Sequence, residues 1–285
     1  MTDALPAWLH LHRGNAPLLI AMPHTGTDLA GTDPAGLDAH FASPWLAIRD
    51  ADWHIDALYA FARTLGATTL HTRISRSVID VNRDPSGASL YPGQATTELC
   101  PTISFDGDPL YASAAQAPDA AEIARRRALY HAPYHAALSA EIARLRAIHP
   151  HVVLYDAHAI RSRIPRLFDG ALPILNIGTN GTTSCAPALE AAIATICAAS
   201  PFSHVVNGRF RGGWTTRHHG APAQGIHAIQ MEIAMRGYLD EPETPSPANW
   251  PPAFDPARAA PLQSTLQTIL QTALATANAF AETQP

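Results

Sequence analysis

Residues 17–26 read PLLIAMPHTG, an apolar run that stops at a proline, a histidine and a glycine. A short continuous apolar run predicts a strand that is buried on both faces, and Pro-His-Thr-Gly predicts a turn that carries His24. Residues 152–158, VVLYDAH, repeat this pattern with a second histidine, His158, where the apolar run stops. Two buried strands that each deliver a histidine at the carboxyl end predict a binding site at one edge of an open α/β sheet.

The rest of the chain alternates between strand and helix patterns. Residues 45–64 have apolar side chains at roughly helical spacing, and Gly66 follows as a helix-ending residue. Such alternation predicts an α/β sandwich with a largely parallel sheet. No repeat or shift in composition marks a second domain, so residues 1–285 are predicted to form one domain. The other predicted elements are strands over 67–72, 77–81, 173–177 and 226–233, and helices over 118–148 (kinked or split at Pro133), 186–199 and about 257–282.

Composition limits the classes of partner. Hydrophobic residues make up 47% of the 285 residues and charged residues 15%, so the chain can bury a sizeable core. The formal charge of -5 gives no attraction to nucleic acid or to an anionic membrane. Three cysteines without a CxxC pair favour a reducing compartment, and we see no export signal and no apolar run of the ~18 residues that span a bilayer. We therefore expect a cytoplasmic protein; the oligomeric state stays open.

His24 and His158 are the candidate metal ligands among the 15 histidines. Others, such as His10, His12 and His151, are expected on the surface or on helices. Two imidazoles and one carboxylate leave a fourth position open for water on zinc, as in hydrolytic sites. The alternative is that each histidine only caps a strand or bonds to a backbone carbonyl. Three acidic residues of the 45–64 segment could supply the carboxylate, and Asp156 could orient His158: the three are Asp50, Asp52 and Asp56.

Glu232 lies near the end of the apolar 226–233 segment. A carboxylate in such a position is either paired with a cation or kept partly desolvated with a raised pKa. The first case predicts a structural salt bridge, for which Arg236 is the nearest candidate. The second predicts a general base that activates water and then protonates a leaving amine. The residue pattern alone leaves both interpretations open.

Arginines outside the predicted helices form a second set of candidates. A guanidinium group binds a carboxylate through two parallel hydrogen bonds, so these residues favour a substrate with one or two carboxylates. The alternative is that several of them neutralise Asp80, Asp84 and Asp169. No G-x-S-x-G or phosphate-binding glycine motif supports a serine hydrolase or a nucleotide-binding protein. The set contains Arg76, Arg83, Arg161, Arg163, Arg209, Arg211 and Arg217, with Asn82 beside Arg83.

Six longer segments occur in one order along residues 17–245. They read PHTGTD (23–28), DADWHIDALY (50–59), SRSVIDVNRDPSGASLYPGQATTELCPT (75–102), DAHAIRSRIPRLFDG (156–170), PILNIGTN (173–180) and NGRFRGGWTTRHHGAPAQGIHAIQMEIAMRGYLDE (207–241). In sequence, order and spacing they resemble the N-formylglutamate amidohydrolase family. Members of that family are metal-dependent deformylases that hydrolyse N-formyl-L-glutamate to formate and L-glutamate in histidine degradation. They are distantly similar to the zinc carboxypeptidases.

The resemblance implies a fold and a role for individual residues. The fold is a three-layer α/β sandwich with a mixed, largely parallel central sheet, like that of the zinc carboxypeptidases. The cofactor is one Zn²⁺ ion, with other divalent metals left open. Glu232 would be the general base, and Arg76 would polarise the formyl oxygen. The implied metal ligands are His24, Asp52 and His158, and the implied substrate-binding residues are Asn82, Arg83, Arg161, Arg209 and Arg217.

The chain also departs from these patterns. The peptidase signature has its acidic ligand where this chain has Thr27, so we prefer Asp52, then Asp50, then Asp28. Ser77 stands where the family usually has a bulky aromatic residue, and His219 where it often has tyrosine. These differences leave the acyl group open. The alternative functions are a related N-acyl amino acid amidohydrolase, a small carboxypeptidase, or a non-catalytic protein that binds amino acids or a metal.

Overall fold

A computed structural model describes residues 5–30 and 37–282 of the chain. This part contains a seven-stranded sheet in the spatial order β1-β3-β2-β4-β7-β5-β6. β1 runs antiparallel to β3, and β5 runs antiparallel to β7, whereas the other pairs are parallel. The mixed, largely parallel sheet is therefore confirmed. The strands are β1 (Leu9–His12), β2 (Leu18–Met22), β3 (Thr68–Thr72), β4 (Val152–Ile160), β5 (Leu175–Gly178), β6 (His204–Val206) and β7 (Ile226–Ala234).

Helices cover both faces of this sheet. They are α1 (Pro44–Ile48), α2 (Ile55–Leu58), α3 (Ala120–Arg126), α4 (Ala132–Arg146), α5 (Pro187–Ala199), α6 (Trp214–His219) and α7 (Pro256–Glu282). Successive residues of β2 point to opposite sides: Leu18 and Ile20 enter one apolar core, and Leu19 and Ala21 enter the other. The first core includes α5 and α7, and the second includes α4. The two cores make the fold a three-layer α/β sandwich, as predicted. The likeness to zinc carboxypeptidases stays a prediction.

The single helix predicted over residues 45–64 is wrong. The segment folds as α1, α2 and a 3₁₀ helix at Ala60–Leu65, which ends at Gly66 with a φ of 71°. Between α1 and α2, the backbone N–H of Asp52 bonds to the carbonyl of His24 at 2.9 Å, and His54 adopts a φ of 60°. The contact with His24 and the left-handed turn at His54 interrupt the helix at Asp52.

The strand predicted over residues 77–81 is also wrong. Val78, Ile79 and Val81 are buried in the second core, but their backbone turns, with Val78 N bonded to Ser75 O at 3.0 Å. The β-branched residues of this segment therefore indicate burial and do not indicate a strand. The short strands β1 and β6 at the two edges of the sheet were not predicted as strands.

The long helix predicted over residues 118–148 is interrupted ahead of Pro133. α3 passes into a π-helical turn at Arg127–His131, and α4 follows. The apolar run at residues 152–155 predicted the end of β4 at Tyr155, but the strand continues to Ile160. His158 therefore lies inside the strand and not in the turn after it. His151, expected on the surface or on a helix, is buried beside His227. Cys100, Cys185 and Cys197 are buried free thiols. Within the described residues, no helix has the length and apolarity to cross a bilayer.

Leu154→Ala is expected to lower the free energy of unfolding by about 2–5 kcal/mol, because it leaves a cavity in the core. Leu154 is fully buried in the central strand β4, and Leu129, with 39% of its surface exposed, is a matched control. Chemical denaturation measures both variants. A loss for Leu154→Ala no larger than for Leu129→Ala would contradict the central position of β4.

Candidate active site

The pairing of β4 with β7 brings two polar pairs together at the carboxyl end of the sheet. His158 lies opposite Glu232, and Asp156 lies opposite Gln230. Neighbours in a parallel pair point to the same face. All four side chains therefore project toward the second core, beyond its last apolar residues from these strands. The sheet thus places an imidazole beside a carboxylate in a buried position.

His24, Asp52 and His158 form a group whose ligand atoms lie within 4.8 Å of one another. His158 Nδ1 is 3.1 Å from Asp52 Oδ2, and His24 Nδ1 is 3.7 Å from the same oxygen. His24 Nδ1 is buried and has no hydrogen-bond partner. An unpartnered buried nitrogen beside a second imidazole and a carboxylate fits a Zn²⁺ site, which favours two nitrogens and one oxygen with one position open.

The three other candidate carboxylates, Asp28, Asp50 and Asp56, lie outside this group, and Asp56 is exposed. Asp50 accepts a hydrogen bond from the backbone N–H of Phe105 at 2.7 Å and pairs with Arg161 at 3.1 Å. Asp28 accepts the N–H of Ala30 at 3.1 Å. Asp52 is therefore the carboxylate that completes the group, in line with the first choice from the sequence.

A carboxylate lies beside the remote nitrogen of each candidate histidine ligand. His24 Nε2 donates to Asp80 Oδ1 at 2.6 Å. His158 Nε2 lies 3.0 Å from Asp156 Oδ1 and 2.9 Å from Asn82 Nδ2. Such contacts fix the orientation of a metal-binding imidazole and raise its basicity. Burial alone would lower the pKa of His158, but Asp156 and Asp52 raise it well above its ordinary value. The group thus favours a positive charge, which a bound cation would also supply.

Asp80 connects the candidate metal group to the candidate substrate groups, whereas the sequence predicted for it only a charge that arginines neutralise. Its Oδ1 also accepts the N–H of Asn82 at 2.9 Å, and its Oδ2 lies 2.7 Å from Arg76 and 3.5 Å from Arg83. Burial would raise the pKa of Asp80, but Arg83, His24 and Arg76 outweigh burial and lower it well below its ordinary value. The one sequence signal is the spacing of Asp80 two and three residues before Asn82 and Arg83.

Glu232 is buried, and its carboxyl has a pKa raised to about 7. Burial is the largest cause; Asp52 and Asp156 add to it, whereas His158 and Arg76 oppose it. Gln230 Nε2 donates to its Oε2 at 3.2 Å. Glu232 and Arg236, both in the described part of the chain, form no ion pair. A carboxyl that titrates near neutral pH next to the candidate metal ligands has the properties of a general acid or base.

These groups open into one cavity. Arg76 lies in its wall with its guanidinium group 4.7 Å from the ring centre of Phe105. The Oδ1 atom of Asn82 accepts the N–H of Thr215 at 2.8 Å, which holds the carboxamide in the wall. The lining includes His24, Arg76, Asn82, Arg83, His158, Arg209 and Glu232, and the nonpolar side of the wall comes from Phe105, Ile160, Leu167 and Phe210.

Two predicted substrate-binding residues lie outside the wall of the cavity. Arg161 pairs with Asp50 at 3.1 Å and with Asp106 at 2.7 Å, so its charge is already compensated. Arg217 donates to the carbonyls of Gly212 and Leu90 at 2.8 and 3.0 Å and fixes the loop that carries Tyr91. The structure therefore gives both residues a structural position. Ser77 and His219, the two departures from the family pattern, also lie outside the cavity lining.

Comparison with known proteins agrees with this geometry. A sequence profile described as N-formylglutamate amidohydrolase matches residues 16–239. The chain belongs to the N-formylglutamate amidohydrolase family. An N-formylglutamate deformylase from Pseudomonas aeruginosa is 49% identical over 234 residues, which cover 82% of this chain and 86% of the relative. One from Pseudomonas putida is 46% identical over 236 residues with the same coverage.

A solved structure shows the same fold for the family. The N-formylglutamate amidohydrolase from Ralstonia eutropha JMP134 superposes with a TM-score of 0.73 and 21% identity, covering 98% of this chain and 99% of that chain. A second structure, a gene product of Agrobacterium tumefaciens, has a TM-score of 0.68 and 18% identity over 94% of both chains. At these identities the likeness concerns the fold alone.

For this family member, Glu232→Gln is expected to raise the free energy of unfolding at pH 8 by roughly 1–3 kcal/mol in chelator-treated protein. As the pH rises from 4.5, the Glu232 carboxyl loses its proton first in the unfolded chain, because the folded state holds this proton until about pH 7. The ionised carboxylate therefore lowers the free energy of unfolding above pH 7, whereas the protonated carboxyl has almost no effect at pH 4. Denaturant unfolding at both pH values measures the difference, with exposed Glu243→Gln as the control. An equal effect at pH 4 and pH 8 would contradict the desolvation of Glu232.

Proposed function

We propose that this chain is a metal-dependent N-formylglutamate deformylase, which hydrolyses N-formyl-L-glutamate to formate and L-glutamate. The observation that carries the proposal is the buried group His24, Asp52 and His158 beside Glu232, in one cavity with arginine side chains. The relatives named as N-formylglutamate deformylases support the substrate. Operation in the cytoplasm and in histidine degradation stays a prediction.

Zn²⁺ is the ion that the donor set favours, and His24 Nδ1, His158 Nδ1 and Asp52 Oδ2 would hold it. When bound, such an ion supplies Lewis-acid activation of water and of the amide carbonyl. Burial would raise the pKa of Asp52, but His24 and His158 lower it below its ordinary value, so its oxygen is available as an anionic ligand. Asp80 and Asp156 lie beside the Nε2 atoms of the two imidazoles, on the side away from the candidate metal position, and help to orient the rings.

Glu232 performs the proton transfers in this proposal. Its carboxylate takes a proton from the attacking water and gives a proton to the nitrogen of the leaving amino acid. A pKa of about 7 suits both steps, because the group exchanges protons easily near neutral pH. The neighbouring Gln230 keeps the carboxyl oriented through the 3.2 Å hydrogen bond to its Oε2.

Arg76 stabilises the negative charge that develops on the formyl oxygen. Its guanidinium group is buried and is fixed between Asp80 at 2.7 Å and the ring of Phe105. A preorganised cation costs no reorganisation when the charge develops, which makes such groups effective in water-poor sites. Burial would lower the pKa of Arg76, but Asp80 and Asp52 raise it, so the group stays charged.

Arg83 and Arg209 are the groups that bind the carboxylates of the substrate. Arg83 is held by the carbonyl and hydroxyl of Thr97 at 3.0 and 3.1 Å. Arg209 donates to the carbonyls of Leu167 and Ala95 at 2.8 and 2.7 Å and has no carboxylate within 4 Å in the described residues. Carbonyls orient Arg209 without neutralising it, and burial lowers its pKa. A dicarboxylate substrate would supply the missing negative charge, with Asn82 as an additional hydrogen-bond donor.

Glu232→Gln is expected to abolish hydrolysis of N-formyl-L-glutamate and to leave metal binding intact, because Gln keeps the shape but cannot take the proton. Activity is measured by formate release, and metal content by elemental analysis. The parent protein should lose activity with a chelator and regain it with Zn²⁺. Exposed Glu243→Gln is the control and should behave as the parent. Retained turnover in Glu232→Gln, or a parent that is active without metal, would contradict the mechanism.

Arg209→Ala is expected to raise KM for N-formyl-L-glutamate by roughly 10–100-fold, since hydrogen bonds to charged groups contribute about 1.5–3 kcal/mol. The penalty should shrink for N-formyl-L-glutamine if Arg209 binds the side-chain carboxylate, and persist if it binds the α-carboxylate. Steady-state kinetics with both substrates measure this. Arg258→Ala, on the exposed side of α7, is the control. An unchanged KM in Arg209→Ala would remove Arg209 from the proposed site.

A further inference from the structure

The segment that follows β3 carries Asp80, Asn82 and Arg83 but forms no strand. Its carbonyl groups therefore need partners outside the sheet. Two of them bond to histidines: His135 Nε2 lies 2.7 Å from Val81 O, and His131 Nε2 lies 2.9 Å from Arg83 O. His131 ends the π-helical turn and His135 follows in α4. Interruptions of this kind in a helix often occur at functional sites.

One of these two histidines, His135, also contacts a third one. His135 Nδ1 lies 3.0 Å from His219 Nε2, and the two rings are 5.3 Å apart with an angle of 20° between their planes. The rings of His131 and His135 are 4.5 Å apart. His219 belongs to α6, and the N–H of Thr215 in the same helix bonds to Asn82 Oδ1. The histidine stack (His131, His135 and His219) thus connects the backbone on both sides of Asn82 with α6, which bonds to the Asn82 side chain.

The hydrogen-bond partners of the stack determine which ring nitrogen of each histidine carries a proton. A carbonyl only accepts, so His131 and His135 each donate from Nε2. A neutral His135 then has an acceptor at Nδ1, and His219 donates to it from Nε2. Protonation of both His135 and His219 would place two N–H groups against each other and break this bond. The hydrogen bond between the two rings therefore requires at least one of them to be neutral.

Burial and the neighbouring groups favour that neutral state. Burial is the main cause that lowers the pKa of His131 and His135, and it lowers the pKa of His219 to about 4. The other groups that face the stack are Arg127, Asp80, Asp156, His218 and the phenol of Tyr134; Arg127 and His218 disfavour protonation, and Asp80 and Asp156 favour it.

We propose that His131, His135 and His219 are positioning residues for substrate binding: the neutral stack fixes the backbone of Val81 and Arg83 and so directs Asn82 and Arg83 into the cavity. The inference rests on the proposed function in that Asn82 and Arg83 contact the substrate there. None of the three histidines lines the cavity, and none contacts His24, Asp52 or His158. Asn82 Nδ2 also lies 2.9 Å from His158 Nε2. Loss of the stack is therefore expected to weaken substrate binding more than metal binding.

The chain contains a second histidine pair with the same geometry and no link to the cavity. His151 Nδ1 lies 3.0 Å from His227 Nε2, with rings 5.2 Å apart and 18° between their planes. This pair lies at the amino end of β4 and β7, where His227 Nδ1 accepts the N–H of Ala186. It is a matched control, because a change in it disturbs a buried histidine pair of the same geometry that lies away from the cavity.

The experiment compares His135→Phe, His135→Gln and His151→Phe in the metal-loaded protein. His135→Phe should raise KM for N-formyl-L-glutamate roughly tenfold, as expected for the loss of one or two hydrogen bonds that orient the binding groups, with kcat changed by no more than about threefold. His135→Gln keeps a donor and an acceptor and should restore KM at pH 7. Metal affinity should change less than KM in His135→Phe, and His151→Phe should keep both the parent KM and the parent metal affinity.

A parent-like KM in His135→Phe, or an equal rise in His151→Phe, would overturn the inference. Hydrogen–deuterium exchange of residues 80–84 without substrate separates it from the proposed function: exchange should be faster in His135→Phe and unchanged in His151→Phe. If the parent does not hydrolyse N-formyl-L-glutamate, the proposed function fails, and the exchange result still decides whether the stack orders this segment. Should His135→Phe not fold, His219→Phe removes only the bond between the rings and takes its place in both measurements, with a smaller effect expected.

Discussion

The parallel pairing of β4 with β7 is the interaction on which the candidate site depends. It places His158 beside Glu232 and Asp156 beside Gln230, at the carboxyl end of strands whose preceding residues on that face, Leu154 and Ala228, are apolar. Because parallel strands need crossover connections, the rest of the chain has to pass over both faces of the sheet and return to this edge. The segments that carry His24, Asp52 and Asp80 follow β2, α1 and β3 and reach the same edge.

Buried charge of both signs occurs within a few ångströms, and the balance of these charges determines what each group can do. Asp80 accepts four contacts from donors, which keeps it ionised although it is fully buried. Glu232 accepts one hydrogen bond from a neutral amide and therefore holds its proton more strongly. Two buried carboxylates in one site thus have opposite properties, and the difference comes from their neighbours and not from their depth.

The sequence predicts those features that depend on local burial or on side-chain type. The apolar runs before His24 and around residues 152–155 give the central strands, and the residues near their ends give two metal-ligand candidates and Glu232. What it does not predict depends on contacts between distant segments. The break in the 45–64 helix follows from the bond between Asp52 and His24, and the position of Arg161 follows from Asp50 and Asp106. The role of Asp80 is likewise set by partners that only the fold brings to it.

The three candidate metal ligands come from positions 24, 52 and 158, and each lies on a different segment of the fold. An unfolded chain cannot bring these atoms together, so a cation would bind the native state almost exclusively. Each tenfold rise in free metal above the dissociation constant would then add about 1.4 kcal/mol to the free energy of unfolding. The availability of the ion in the cell would therefore influence how much of this protein is folded and how long it survives proteolysis, in addition to its activity.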